Sequence, residues 1–266
     1  MGVAVDTVAL DVHNAATSAI GLTNATVASG DSLTVRNFPP ANAAFLQNVY
    51  LQGASAPRRF RLLSARLHDN VTGISFQALE SPTEFLIPPE IDQPLYPADT
   101  LVAQMDAAAS SDTVAALLVY YSNLPGIQAN LFTWAQIQNR IIDIKPMEVD
   151  VTSSATIGAW SDTLLTTTEN QLKADYDYAV LGIEGSAAFA AVGVKGSATG
   201  NLRVCAPGAS PTLKLTDYFV YMSQQNQTPF IPVFNANDRT AFYVSVLANT
   251  ASATDNVFLV LARLAT

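Results

Sequence analysis

Four arginines, Arg58, Arg59, Arg61 and Arg66, fall within nine residues of a chain that has only 13 cationic side chains. Guanidinium groups are planar forks that match carboxylates and phosphates, so a cluster of them is the sharpest local chemistry here. Three uses are open. The charges could solvate a strand edge and discourage edge-to-edge pairing. They could meet carboxylates of a neighbouring subunit. They could also attract anionic lipid headgroups or genome phosphates. The matching stretch of the second half keeps only Arg203, so the cluster is particular to the first half.

Other reactive residue types are sparse. There are two histidines, His13 and His68, with no second histidine at metal-binding spacing. His13 sits in a polar stretch and His68 in a His-Asp-Asn turn, and both are read as structural or solvent-facing rather than as a catalytic base. The single cysteine, Cys205, follows Val204 in an apolar stretch and is read as core packing. Asp175-x-Asp177 with Glu184, and Asp92 with Asp99, are the carboxylate sets that could do acid–base work or hold calcium. Neither matches a defined loop pattern, and solvated surface is the preferred reading. The glycines between 182 and 208 lack the spacing of a phosphate-binding loop and are expected to lighten loops. No catalytic, cofactor-binding or metal-binding residue is therefore expected, and the chain is read as a non-enzyme without a cofactor.

Composition narrows the classes further. Hydrophobic residues make up 49% and charged residues 13% of the 266, about half the usual charged share of roughly 25%. Much of the surface is thus uncharged, either wet and polar or covered by partner subunits. A net charge of −9 disfavours gripping nucleic acid as the main task. No apolar run reaches the length of a membrane-spanning helix. The N-terminal residues show no cationic, apolar leader, and one cysteine fits a reducing compartment.

The elements that must carry these residues are mostly short strands. Leu33 and Val35, Ile74 and Phe76, Leu213 and Leu215, and Phe242, Val244 and Val246 each alternate with other residues at period two. Between Phe60 and Leu67 the apolar phase slips by one, which predicts a bulge or bend. Apolar runs close each half, from Val114 to Tyr121 and from Val257 to Leu264. Leu131, Trp134, Ile137 and Ile141 are spaced three or four apart, which predicts an amphipathic helix over roughly 130–142. A short helix near Asp217–Met222 is also expected.

The chain also echoes itself. Ala43-Ala44-Phe45 followed by Phe60-Arg61-Leu62 resembles Ala187-Ala188-Phe189 followed by Leu202-Arg203-Val204. Ile87-Pro88, Asp99-Thr100 and Asp112-Thr113-Val114 resemble Ile231-Pro232, Asp238-Arg239-Thr240 and Asp255-Asn256-Val257. Thr17 to Gly21 resembles Ser154 to Gly158. Three collinear matches predict a duplicated domain. The expected organisation is a first jelly roll over 1–125, a helix-bearing linker over 126–146 and a second jelly roll over 147–266. The fold class is thus all-β, with two tandem eight-stranded jelly-roll barrels. An immunoglobulin-type sandwich is the rival, but its Cys/Trp signature is missing.

A duplicated jelly roll of this length, joined by a helix, resembles the double jelly-roll major capsid proteins of tailless icosahedral viruses, the smaller bacteriophage members being nearest in size. The resemblance implies a structural virion protein, made in the host cytoplasm, whose homotrimers form pseudo-hexagonal capsomers. It implies contacts with neighbouring capsomers, with minor capsid proteins and with an internal membrane, and no sequence-specific nucleic-acid binding. A membrane contact would fall to the Arg58–Arg66 cluster or the N-terminal arm, although the first 20 residues hold no Lys or Arg. Two alternatives stay open: a virion spike, decoration or receptor- and carbohydrate-binding trimer, and a β-sandwich hydrolase.

Overall fold

The computed structural model describes residues 4–8, 12–14, 23–27, 35, 43–51, 59–66, 73–77, 83–86, 93–106, 113–114, 116–122, 129–165, 172–209, 214–226 and 229–265. The chain is mostly β-sheet with few helices. The first half supplies β1 (Ala4–Val8), β2 (Val12–Asn14), β3 (Thr23–Val27), β4 (Ala43–Leu51), β5 (Arg59–Leu63) and β6 (Ile74–Gln77). It continues with β7 (Thr83–Leu86), β8 (Gln93–Leu95), β9 (Val102–Asp106), β10 (Thr113–Val114) and β11 (Ala116–Ser122). The second half supplies β12 (Leu131–Phe132), α1 (Trp134–Ile137), β13 (Ile141–Thr152), β14 (Trp160–Leu164), β15 (Asp177–Glu184) and β16 (Phe189–Gly196). After these come β17 (Arg203–Pro207), α2 (Tyr218–Asn226), β18 (Ile231–Asn235), β19 (Phe242–Ala248) and β20 (Thr254–Leu264).

These strands form four sheets. In the first half the paths are β1-β11-β4-β7, with β8 also on β4, and β10-β2-β3-β9-β5-β6. In the second half they are β12-β18-β15-β20-β13 and β14-β19-β16-β17. With β2, β8, β10 and β12 set aside as extra strands, both halves follow one rule. The first strand pairs the last, the last pairs the third and the third pairs the sixth; in the other sheet the second pairs the seventh, the seventh the fourth and the fourth the fifth. All the pairings are antiparallel.

This path corrects one of the sequence echoes. Ala43-Ala44-Phe45 opens β4, the third strand of its half, whereas Phe189 opens β16, the fourth. Likewise Phe60-Arg61-Leu62 lies on β5 and Arg203-Val204 on β17, one strand further along. The echo was out by a strand because consecutive half-buried strands share the same period-two pattern and differ little in short stretches. The other two echoes fall beside strands of equal rank: β3 with β14, β9 with β19, β11 with β20.

Strand β13 shows how alternation sets the layers. Met147, Val149 and Val151 are buried, whereas Glu148, Asp150 and Thr152 between them are exposed. From the facing sheet, Val192 and Val194 on β16, Val204 on β17, and Val244 and Val246 on β19 complete the core with Phe234 stacked on Phe242, ring centroids 4.2 Å apart. Each such aliphatic side chain stabilises by about 1.5–3 kcal/mol when fully buried. One member comes from far away in sequence. Val5 on β1 is fully buried within this second-half cluster, and β1 lies against β17.

Three local expectations need correction and a fourth is narrowed. The interdomain helix is shorter than its periodicity suggested: α1 covers Trp134–Ile137, a 3-10 turn follows over Gln138–Arg140, and β13 takes over at Ile141. Only Ile137 of that apolar set is fully buried, and pairing to β20 captures the remainder as strand. Leu215 begins a 3-10 turn, Leu215–Asp217, rather than a strand, and α2 follows at Tyr218. Of the bulge or bend expected after Phe60, the structure has the bend: β5 ends at Leu63, with Leu62 and Leu63 both buried, and the chain turns at Ala65–Arg66, with no bulge in its pairing. Finally, Gly182, Gly193 and Gly196 lie within strands β15 and β16, not in loops. Gly182 is needed for close approach: a Cβ there would sit 2.3 Å from the Thr216 carbonyl carbon, so only glycine lets the 215–217 turn rest on the sheet.

Candidate functional site

The arginine cluster does not converge on one point. Arg58 lies outside the described residues. Arg59 and Arg61 lie on β5, with Asp106 and Gln104 of β9 as their partners in register. Arg61 Nε donates to Gln104 Oε1 at 3.0 Å, and its Nη2 donates to the same oxygen. Arg66 stands beyond the strand end, where Nη1 donates to the Pro97 carbonyl at 3.3 Å and the guanidinium sits 6.0 Å from the Tyr96 ring centre. Tyr96 and Pro97 lie on the short connection from β8 to β9, which Ser64 braces by donating to Asp99 Oδ2 at 2.5 Å. Among the described residues neither Arg61 nor Arg66 pairs with a carboxylate. This arrangement anchors β5 to β9 while leaving positive charge at the surface.

The other candidate residues are dispersed. His13 lies on β2 opposite Thr26, and His68 and Asp92 fall outside the described residues. Asp175 and Asp177 each accept from an asparagine: Asn237 Nδ2 at 2.8 Å and Asn235 Nδ2 at 3.0 Å. Glu184 ends β15 while Asp177 begins it, which separates them by roughly 20 Å at strand rise. Among the described residues no group of three or more His, Cys, Asp or Glu side chains could hold a metal. Cys205 is fully buried on β17, its sulfur facing Gly193 across the β16 pair.

Sequence reasoning passed over a dense polar cluster among the described residues. It forms on the outward face of β14, β19, β16 and β17, because alternation sends Val192, Val194, Val204, Val244 and Val246 inward. Register places Asp162 opposite Ser245, and Lys195 opposite both Tyr243 and Arg203. Ser245 donates to Asp162 Oδ1 at 2.6 Å, Lys195 Nζ donates to Oδ2 at 3.2 Å, and Arg203 Nη2 reaches both oxygens at 3.4 Å. Partial burial opposes the charge on Asp162, but the Ser245 hydroxyl, the Arg203 cation and Lys195 outweigh it and hold its carboxyl below the ordinary carboxylate range. Arg203 also stacks on Trp160, 4.6 Å from the ring centre, so that face of the indole is occupied. The legible signal was Trp160-x-Asp162 on an alternating strand with lone cations at Lys195 and Arg203.

No family model and no curated protein matches the chain. Among solved structures, a match to the STIV major capsid protein covers 100% of this chain and 97% of that one, at 9% identity and a TM-score of 0.20. At that score the likeness carries no argument about fold or function.

Proposed function

We propose that the protein is a double jelly-roll major capsid protein, a structural virion component and not an enzyme, whose homotrimers form pseudo-hexagonal capsomers. The observation that supports this reading is the sheet path itself. In each half the order is first-last-third-sixth and second-seventh-fourth-fifth, which is the strand order of an eight-stranded jelly roll. Two such units in one chain let a three-fold object offer six similar sides to a lattice. The low charged fraction fits lateral faces that lose water on assembly, because desolvating unpaired charge is costly. In this reading the partners are further copies of the chain, with minor capsid proteins and an internal membrane as further neighbours.

Light scattering coupled to size exclusion tests the reading. The expected species has three times the 28.2 kDa chain mass, or a much larger shell-like assembly. A monomer at every concentration up to the millimolar range overturns it.

A further inference from the structure

The outer face of β13 and β20 carries a strip of exposed apolar side chains. Ile142 and Ile144 are 49% and 50% exposed, and Phe258 is 45% exposed. Register sets Ile144 beside Ala262, Pro146 beside Val260, and Glu148 beside Phe258; Ala262 is fully buried and Val260 partly so, which leaves Ile142, Ile144, Pro146 and Phe258 as the exposed apolar points. Three of the six large apolar side chains exposed among the described residues lie in this strip. On one flank the Leu215–Asp217 turn and α2 roof β15. On the other, β13 is the sheet edge. Glu148 and Asp150 stand exposed at one end of the strip and give it an acidic rim.

We propose that this face is the seam that receives a second copy of the chain, with the neighbour's Arg58–Arg66 segment meeting the acidic rim. The proposal rests on the capsomer reading above and adds the contact surface to it. Two physical points choose the occupant and the mode. Pro146 lacks an N–H in the middle of edge strand β13, which disfavours growth of the sheet by strand addition and favours contact through side chains on the face. In a chain with 22 acidic and 13 basic residues, the Arg58–Arg66 segment is where positive charge gathers, and Arg61 and Arg66 pair with no carboxylate among the described residues. The rim and the arginines belong to different patches. The contact is therefore heterologous, the kind that closes into a ring when the rotation allows.

The test compares assembly of the full chain and its variants by light scattering, with circular dichroism and thermal melts as folding controls. Ile144→Glu with Phe258→Glu is expected to convert the trimer to monomer at concentrations where the parent chain is fully assembled, with an unchanged dichroism spectrum. Reversal of the rim, Glu148→Arg with Asp150→Arg, is expected to weaken assembly at least about tenfold, a loss of about 1.4 kcal/mol. Adding Arg58→Glu and Arg66→Glu to that variant is expected to restore it. These rim and arginine changes decide the matter even if the apolar variant folds poorly. A parent trimer that survives the apolar substitutions and the rim reversal refutes the seam while leaving the capsomer reading intact. Rim reversal that weakens assembly without rescue refutes the arginine segment as the partner. A parent chain that is monomeric throughout refutes both readings.

Discussion

Replacing Asp162 by alanine removes the hub that ties β14 to β19, β16 and β17. Three contacts are lost: the Ser245 hydroxyl at 2.6 Å, Lys195 at 3.2 Å and Arg203 at 3.4 Å. Ser245 is fully buried, so its hydroxyl is left short of an acceptor, a loss of about 1–3 kcal/mol. The two ion pairs lie at a partly solvated sheet surface and add about 0–1 kcal/mol together after screening. The expected loss is thus about 2 kcal/mol, or roughly 4–8 °C in melting temperature for a chain of this size. Asp162→Asn keeps an acceptor oxygen for Ser245 and loses only the charge, so about 1 kcal/mol is expected. The pH dependence has a definite sign. The folded carboxyl titrates below its unfolded value, which is about 3.9. Its stabilisation is therefore fully present above that value and is lost as pH falls through the lower, folded one. Urea unfolding midpoints of the parent chain and Asp162→Asn should differ at pH 7 and converge as the pH drops below about 4. Equal midpoints for Asp162→Ala and the parent at pH 7, or a parent–Asp162→Asn gap that survives at low pH, would refute the reasoning.

Two other substitutions probe the framework. Gly182→Ala places a Cβ against the Leu215–Thr216 backbone, and overpacking against main chain should cost about 1–3 kcal/mol, read as a lowered thermal midpoint; an unchanged midpoint would show that the 215–217 turn does not rest on β15 as described. Val5→Ala removes two methyl groups from a fully buried site in the second-half core, a loss of about 2 kcal/mol. Both tryptophans, Trp134 and Trp160, lie in the second half, so tryptophan fluorescence should report earlier unfolding although the change is in the first strand; an unaltered fluorescence melt would mean that β1 does not support that core.

Residue types and their periodicity made the all-β class and much of the strand inventory legible. Alternation such as Phe242, Val244 and Val246 names a buried face without any knowledge of the neighbour, because side chains of a strand project to opposite sides at period two. The same property hid which strand was which. One half-buried strand reads much like the next, and the echo that paired β4 with β16 slipped by one strand for that reason. The arginine cluster was visible as a run in the chain. The Asp162 hub was not, since its members come from four strands and sit 83 residues apart at their widest bonded pair, Asp162 and Ser245. Only register across the sheet brings them within bonding distance. Tertiary structure also decided where the helix between the halves ends, because pairing with β20 outweighs a three-to-four spacing that continues past Arg140. It placed Val5 in a core more than a hundred residues away in sequence, and it turned Ile142, Ile144 and Phe258 outward. The sequence could mark those three as apolar; whether an apolar side chain is covered depends on what packs above its sheet, and here the 215–217 turn and α2 roof β15 while leaving the outer face of β13 and the exposed ring of Phe258 open.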